Sequence, residues 1–454
     1  MSVITKNTIT KRTTTKAKKS VFIETYGCQM NVYDTQLVLS ILQKHDYKIA
    51  LTEKDADIVM LNTCSVRDKA NQRIYNRVHT LRQESKHPLL IGILGCMATN
   101  FKTDLLENKR LGIDFIAGPD SYKELPNLIK DVTETGEKSY DVTLSEFETY
   151  SDIYPTHQSG VNAWLAIMRG CNNFCTFCVV PYTRGRERSR DPHNIVKEVQ
   201  RLVSDGFKQV TLLGQNVNSY KFEQYDFTDL MTMVSDVPGL KRVRFTSPHP
   251  KDFPTKLLKV MNERDNLCNQ LHVPLQAGND RVLKKMNRSY TKQEFLDLIV
   301  EMKALIPDVS LSTDVIVGFP TETDEEFKDT IDVMKKVEFD HAFMFKYSER
   351  PNTRAAAKFP DDIPEEVKAA RLAELIDIQK NISLNRYQRH IGTIEDILIE
   401  EEFTKKNKDM AMGRNDSNKI VLVPNNNLKK GEIYPVKIVG ASPHALRAEQ
   451  VASC

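Results

Sequence analysis

The sequence predicts an α/β chain in three folded parts: a parallel α/β domain, a partial barrel of six β/α units, and a small antiparallel β-barrel. Three observations predict it. Within 21–137, apolar runs of strand length at 21–24, 58–61 and 89–94 alternate with helix-like segments at 34–45 and 66–84. Within 161–387, six strand-like runs recur at 163–168, 209–214, 242–246, 270–275, 310–317 and 342–346, with helical patterns such as 194–204, 293–305 and 325–336 between them. From 388 to 454 the pattern changes to short strand candidates at 394–400, 411–414, 419–424 and 434–439, separated by polar turns such as Asn425-Asn426-Asn427.

The remaining stretches connect these parts. Residues 1–20 carry six Lys/Arg, no acid and little apolar surface, the composition of a disordered basic tail. Residues 138–160 are polar and read as a linker between domains. Overall, 40% apolar and 28% charged residues are ordinary globular composition. No run of about 18 apolar residues occurs, so no membrane span is expected. A net charge of +3 does not by itself argue for a nucleic-acid partner.

In the first domain each strand-like run ends in a cysteine: Tyr26-Gly27-Cys28, Asn62-Thr63-Cys64 and Leu94-Gly95-Cys96. The intervals match one βαβ unit each. In a parallel sheet all three thiols then emerge at the carboxyl edge, where open α/β sheets bind ligands. The alternative is three buried cysteines that happen to end strands.

In the second part the first strand-like run leads into Cys171-Asn172-Asn173-Phe174-Cys175-Thr176-Phe177-Cys178, a C-x3-C-x2-C loop. Three thiolates aimed at one spot suit an iron–sulfur cluster with one iron left open. Structural zinc would need a fourth Cys or His close by, and none follows in the loop. Cys268 and Cys454 stand outside both groups. Eight cysteines in a long chain without a secretory leader point to metal ligands in a reducing compartment, so the chain is expected in the cytoplasm.

The C-x3-C-x2-C loop, with Phe177 between its last two cysteines, resembles that of the radical S-adenosylmethionine (radical SAM) enzymes. Preceded by the triplet Cys28, Cys64 and Cys96, the whole chain from Val21 to Val451 is similar to the methylthiotransferase family. The resemblance implies two 4Fe–4S clusters, an auxiliary one on Cys28, Cys64 and Cys96 and a radical-generating one on Cys171, Cys175 and Cys178. It also implies SAM as cofactor, a sulfur source, and a protein that donates single electrons. The phrases Tyr26-Gly27-Cys28-Gln29-Met30-Asn31 and Leu213-Gly214-Gln215-Asn216-Val217-Asn218-Ser219-Tyr220 resemble the branch that acts on tRNA carrying N6-isopentenyladenosine at position 37. Branches acting on threonylcarbamoyladenosine or on a ribosomal-protein aspartate are the alternatives.

The six β/α units suggest a TIM-like partial barrel, which is also the radical SAM fold, with its site at the carboxyl ends of the strands. Gln215, Ser247, His249, Gln276 and Gly318 are therefore lining candidates, and Gln215, Gln276, Gly318 and Phe177 are expected at the cofactor. Asp314 to Gly318 resembles the family's adenine-contacting strand. Gly278 and Gly318 would let backbone approach a ligand closely. Phe319, Phe343 and Phe345 are candidate walls for an isopentenyl group, or core. The run Thr183-Arg184-Gly185-Arg186-Glu187-Arg188-Ser189-Arg190 offers Arg184 and Arg186 as phosphate contacts, with a solvated charged surface as the alternative. The last part resembles the TRAM domain, an RNA-binding module similar to the OB fold. From 388 to 453 ten Lys/Arg stand against nine Asp/Glu, so that assignment rests on the resemblance.

Overall fold

The computed structural model describes residues 19–65, 68–157, 160–405 and 407–451, with 68–70 in backbone only. Most of the expected basic tail, 1–18, and Cys454 lie outside the described residues.

The first domain is a six-stranded, all-parallel sheet. Its strands are β1 (Ser20–Thr25), β2 (Lys48–Ile49), β3 (Ile58–Thr63), β4 (Leu90–Gly95), β5 (Phe115–Ala117) and β6 (Ser139–Asp141), in the order β2-β1-β3-β4-β5-β6. The three long apolar runs are the centre of this sheet. The edge strands β2, β5 and β6 are too short to show a period. Helix α1 (Gln29–Lys44) covers one face with Met30, Tyr33, Leu37, Val38 and Ile41. Full burial of such a side chain stabilises by about 1.5–3 kcal/mol. Helix α2 (Asp68–Glu84) covers the other face through Ile74, Val78 and Leu81.

The stretch expected as a linker is packed rather than free. It opens inside the sheet, since β6 pairs with β5. Further on, Tyr150 is fully buried, donates to the Pro119 carbonyl and accepts from the Tyr122 N–H.

The second part begins at β7 (Asn162–Ala166), followed by the antiparallel pair β8 (Met168–Arg169) and β9 (Arg188–Ser189). Next come β10 (Gln209–Leu213), a hairpin of β11 (Lys221–Phe222) and β12 (Tyr225–Asp226), β13 (Arg242–Phe245), β14 (Gln270–His272), β15 (Ser310–Val317) and β16 (His341–Lys346). Parallel triplets β13-β10-β7 and β14-β15-β16 meet through a parallel bridge between Val243 and Leu267. The six long strands thus form the expected partial (β/α)6 barrel, and β7 and β16 do not pair with each other. Ala166 and Leu213 belong to the apolar core of the first domain, so the two parts share one interior.

The last part is a closed five-stranded barrel, β17 (Ile394–Glu401), β18 (Met410–Arg414), β19 (Ile420–Pro424), β21 (Leu446–Gln450) and β20 (Ile433–Ala441). One of its pairings, β19 with β21, is parallel. It docks on the amino-terminal ends of the large barrel's strands. Arg242 donates to the carbonyls of Arg414 and Asp396, and Arg244 to those of Asp416 and Asn415. Lys419, almost fully buried, reaches Asp340 at 2.8 Å just before β16. No described helix is long and apolar enough to cross a membrane.

Candidate active site: two thiol groups joined by buried arginines

Cys28 is the N-cap of α1, Cys64 follows β3, and Cys96 opens helix α3 (Cys96–Phe101) after β4. Their positions depend on two glycines. Gly27 has φ +118, and a Cβ there would lie 2.5 Å from the Cys64 Cβ; Gly95 has φ +85, and a Cβ there would meet Asn62 Oδ1 and the Thr63 carbonyl at 2.6 Å. Only glycine combines that backbone with that closeness. The Cys28 thiol accepts a hydrogen bond from Cys64, which together with Arg184 lowers its pKa to about 6 against the effect of burial. The Cys96 thiol is pushed up by burial and drawn back by Arg184.

The Gly27→Ala variant is expected to lose the iron held by the first triplet, about four per chain, while keeping that of the second. Iron analysis of the reconstituted protein checks this; full iron content would show that the turn tolerates a Cβ.

The second thiol loop leaves β8 through Gly170, φ +75, where a Cβ would sit 1.9 Å from the Arg186 carbonyl. The loop is tied down by hydrogen bonds to main-chain carbonyls. Thr176 N–H donates to the Met286 carbonyl, Thr176 Oγ1 to the Lys285 carbonyl, and Asn287 Nδ2 to the carbonyls of Asn173 and Phe174. Arg288 donates to Cys175 Sγ at 3.3 Å. Burial raises Cys171 to about 11 and Cys178 to about 12, and neighbouring thiols of the same loop contribute to both shifts. Among the described residues no three His, Cys, Asp or Glu side chains close on a single-ion site. Two groups of three thiols, each lacking a fourth ligand, fit iron–sulfur clusters, whose several irons hold their thiolates farther apart than one ion does.

Arginines that flank the second thiol loop in the chain bind the first domain. The short helix Val180–Thr183, just after Cys178, packs on α3, and Arg184 follows it. Arg184 Nε donates to Cys96 Sγ at 3.2 Å, and its Nη2 to Asn31 Oδ1 at 2.9 Å and Asp34 Oδ2 at 2.8 Å. Arg169 takes the other Asp34 oxygen at 2.7 Å and stacks over Tyr150. Arg188 binds Asp120 at 2.8 Å, and Arg190 meets Tyr33 at 3.0 Å and Glu198 at 2.6 Å.

Arg184, expected to grip phosphate, is therefore corrected. It is 2% exposed and committed to the first domain, as Arg188 and Arg190 are. Arg186 alone of the run faces solvent, its guanidinium over the Phe174 ring at 4.5 Å.

The other candidates separate. Gln215 is half-buried, with Oε1 lacking a hydrogen-bond partner among the described residues. Ser247 and Gln276 hold positive φ, 58 and 66, at the ends of β13 and β14. Such conformations cost a side-chain-bearing residue about 1–2 kcal/mol and gather at working sites. Phe177 packs against the barrel core. Gly318, φ +70, is approached by Lys368, whose Cγ would lie 2.5 Å from an added Cβ, and its N–H goes to Glu322. Gly278 lies against the Thr330 backbone. On the side a Cβ would occupy, both glycines face protein. Asn216 and Asn218 accept from the His249 N–H, so the motif around them holds the loop after β13. His249 itself is buried, and burial lowers its pKa to about 3. Phe319 is core, against Tyr347 and Phe359.

A cavity of about 1380 Å3 lies inside the large barrel, bordered by Cys28, Cys64, Gln29 and Arg73 of the first domain and by Lys419 and Arg414 of the last. Trp164, Thr211, His272, Asp314, Phe343 and Phe345 line its middle. His272 bridges Ser312 Oγ at 3.1 Å and Asp314 Oδ2 at 3.2 Å. Reading the sequence missed Asp34, Arg169, Arg288 and His272. Charged residues inside otherwise apolar helix and strand patterns were the available signal for the first two.

The fold and the C-x3-C-x2-C loop define a radical SAM enzyme. Residues 165–334 match the radical SAM superfamily, 20–118 match the uncharacterized protein family UPF0004, and 388–451 match the TRAM domain. The radical SAM match implies a 4Fe–4S cluster and SAM. The chain is 44% identical to tRNA-2-methylthio-N(6)-dimethylallyladenosine synthase of Bacteroides fragilis, covering 98% of both chains. It is 47% identical to the enzyme so named from Chloroherpeton thalassium, over 94% of this chain and 95% of that one. The chain belongs to the tRNA-2-methylthio-N(6)-dimethylallyladenosine synthase family. Among solved structures, its fold is similar to the radical SAM methyltransferase TsrM of Kitasatospora setae, with TM-score 0.58, 12% identity and 75% of each chain covered. It is also similar to the cobalamin-dependent radical enzyme OxsB, with TM-score 0.54, 13% identity, 80% of this chain and 56% of that one.

Proposed function

We propose that this chain is a sulfur-group transferase that converts N6-isopentenyladenosine at position 37 of tRNA to its 2-methylthio derivative, in the cytoplasm, using two SAM molecules and two 4Fe–4S clusters. The observation that carries the reading is Arg184. It follows the loop of Cys171, Cys175 and Cys178 and donates to Cys96 of the other triplet, which supports reading both thiol groups as parts of one site. The names of the relatives support the substrate and disfavour the threonylcarbamoyl and aspartate branches.

Ordinary side-chain bases are too weak to remove the adenine C2 hydrogen, so the chemistry calls for a radical. When bound, the barrel cluster supplies the electron that cleaves SAM, and the auxiliary cluster holds the sulfur that a first SAM methylates. The chain's own residues position. Cys28, Cys64 and Cys96 would hold the auxiliary cluster; Cys171, Cys175 and Cys178 the other. Gln215 and Gln276 are the proposed SAM contacts, beside Phe177. Arg186 remains the proposed phosphate contact. Trp164, Phe343 and Phe345 wall the cavity that would take a base turned out of the anticodon loop, at a cost of a few kcal/mol. Each CH2 of the isopentenyl group buried there adds about 0.8 kcal/mol.

The test is an anticodon stem-loop carrying isopentenyladenosine against one carrying plain adenosine. Methylthiolation is expected on the first and absent on the second; equal rates would overturn the assignment.

A further inference from the structure

A second cavity, of about 430 Å3, lies behind the barrel's thiol loop and shares no lining residue with the large one. Five cations line it, Arg281, Lys284, Lys285, Arg354 and Lys358, and no carboxylate does. Glu326 binds Arg281, but Lys284, Arg354 and Lys358 are exposed and have no acidic partner among the described residues.

Its wall is part of the cluster loop. Thr176, next to Cys175, lines it, and so does Asn287, which holds the carbonyls of Asn173 and Phe174. Arg354 lies over the Phe174 ring at 5.3 Å, as the exposed Arg186 does at 4.5 Å. Cys175 accepts from the half-buried Arg288, which also donates to Tyr290.

We propose that this groove docks an acidic protein that carries single electrons, and that Thr176 and Phe174 form the contact through which the cluster is reduced. One electron leaves the carrier, which is oxidised by one, and the cluster gains it; no proton or group moves. The inference rests on the reading that Cys171, Cys175 and Cys178 hold a reducible cluster. No residue of the loop 171–178 lines the large cavity, whereas Thr176 opens onto this groove, so the groove is the side from which a reductant reaches the loop. A row of unpaired cations around that approach speeds encounter with an acidic surface. Redox encounters are small and weak, which suits a shallow charged groove better than a deep apolar one. RNA phosphates fit the charge too, and Arg186 over the same Phe174 ring is the proposed phosphate contact, but the groove shares no lining residue with the cavity proposed to take the base.

The experiment uses the reconstituted full chain and, as probe, an acidic recombinant flavodoxin reduced with dithionite and desalted. Its oxidation on mixing is followed by stopped flow. The Lys284→Glu/Lys358→Glu variant is expected to slow this at least tenfold at low salt and to abolish its salt dependence. Reduction of the variant by dithionite, its iron content and its binding of the stem-loop should stay unchanged. The Lys241→Glu/Lys259→Glu variant, with the same change in net charge, should behave as the unmodified chain. An unchanged flavodoxin rate, or an equal drop in the control variant, would overturn the proposal. So would loss of stem-loop binding with electron transfer intact, which would give the groove to RNA. Loss of iron in the unmodified chain would instead refute the cluster reading beneath it.

Discussion

Replacing Cys171, Cys175 and Cys178 together by Ala should abolish 5′-deoxyadenosine formation and leave about four irons per chain. The loop is held by hydrogen bonds from Thr176 to the Lys285 and Met286 carbonyls and from Asn287 to those of Asn173 and Phe174, none of which uses a thiol. The fold should therefore survive the change. S-adenosylhomocysteine formation, assigned to the other triplet, should continue. The complementary variant, Cys28→Ala, should still make 5′-deoxyadenosine but install no methylthio group. Iron analysis with product chromatography reads both. Two clusters' worth of iron in the triple variant, or normal methylthiolation by Cys28→Ala, would refute the division of labour.

The Asp34→Ala variant should be the most destabilising single change between the first two parts. Asp34 is fully buried and joins Arg169 and Arg184, also buried. Its removal leaves two guanidinium groups without their counter-charge, a loss of about 3–5 kcal/mol. Asp34→Asn keeps the shape and should lose less. The sign of the pH dependence follows. Burial alone would raise the Asp34 pKa, but Arg169 and then Arg184 outweigh it and hold the pKa below its ordinary 3.8. A carboxyl depressed on folding stabilises fully above its unfolded pKa, about 3.9, and that contribution fades as pH falls through the folded value. The unmodified chain should lose stability below about pH 4, and the variants should lack this part of the acid transition. Urea unfolding between pH 3 and 7 checks it; identical acid profiles for the chain and Asp34→Ala would refute it.

How far the sequence could be read depended on whether a signal was local. The long strands and both thiol groups were legible because apolar runs and cysteine spacing are properties of the chain itself. The start of α1 was less so: capped by Cys28, it begins at Gln29, five residues ahead of the expected start at 34. β2, β5 and β6 carry two, three and three residues, short for a periodicity, and owe their place to neighbours. The arginine run misled because exposure is set by what covers a segment, and the covering domain lies some 150 residues earlier, as the Arg184–Asp34 separation of 150 shows. Alternation of Arg184, Arg186, Arg188 and Arg190 does not by itself say that the odd one out faces water.

The Arg184–Cys96 bond also sets an order of events during synthesis. Chains emerge from the amino end, and domains fold as they appear. When the sheet of β1 to β6 first closes, Arg184 has not yet been made, so Cys96 and Asp34 have no cationic partner. Arrival of the barrel supplies that partner to both, so docking of the second part completes the charge balance of the first.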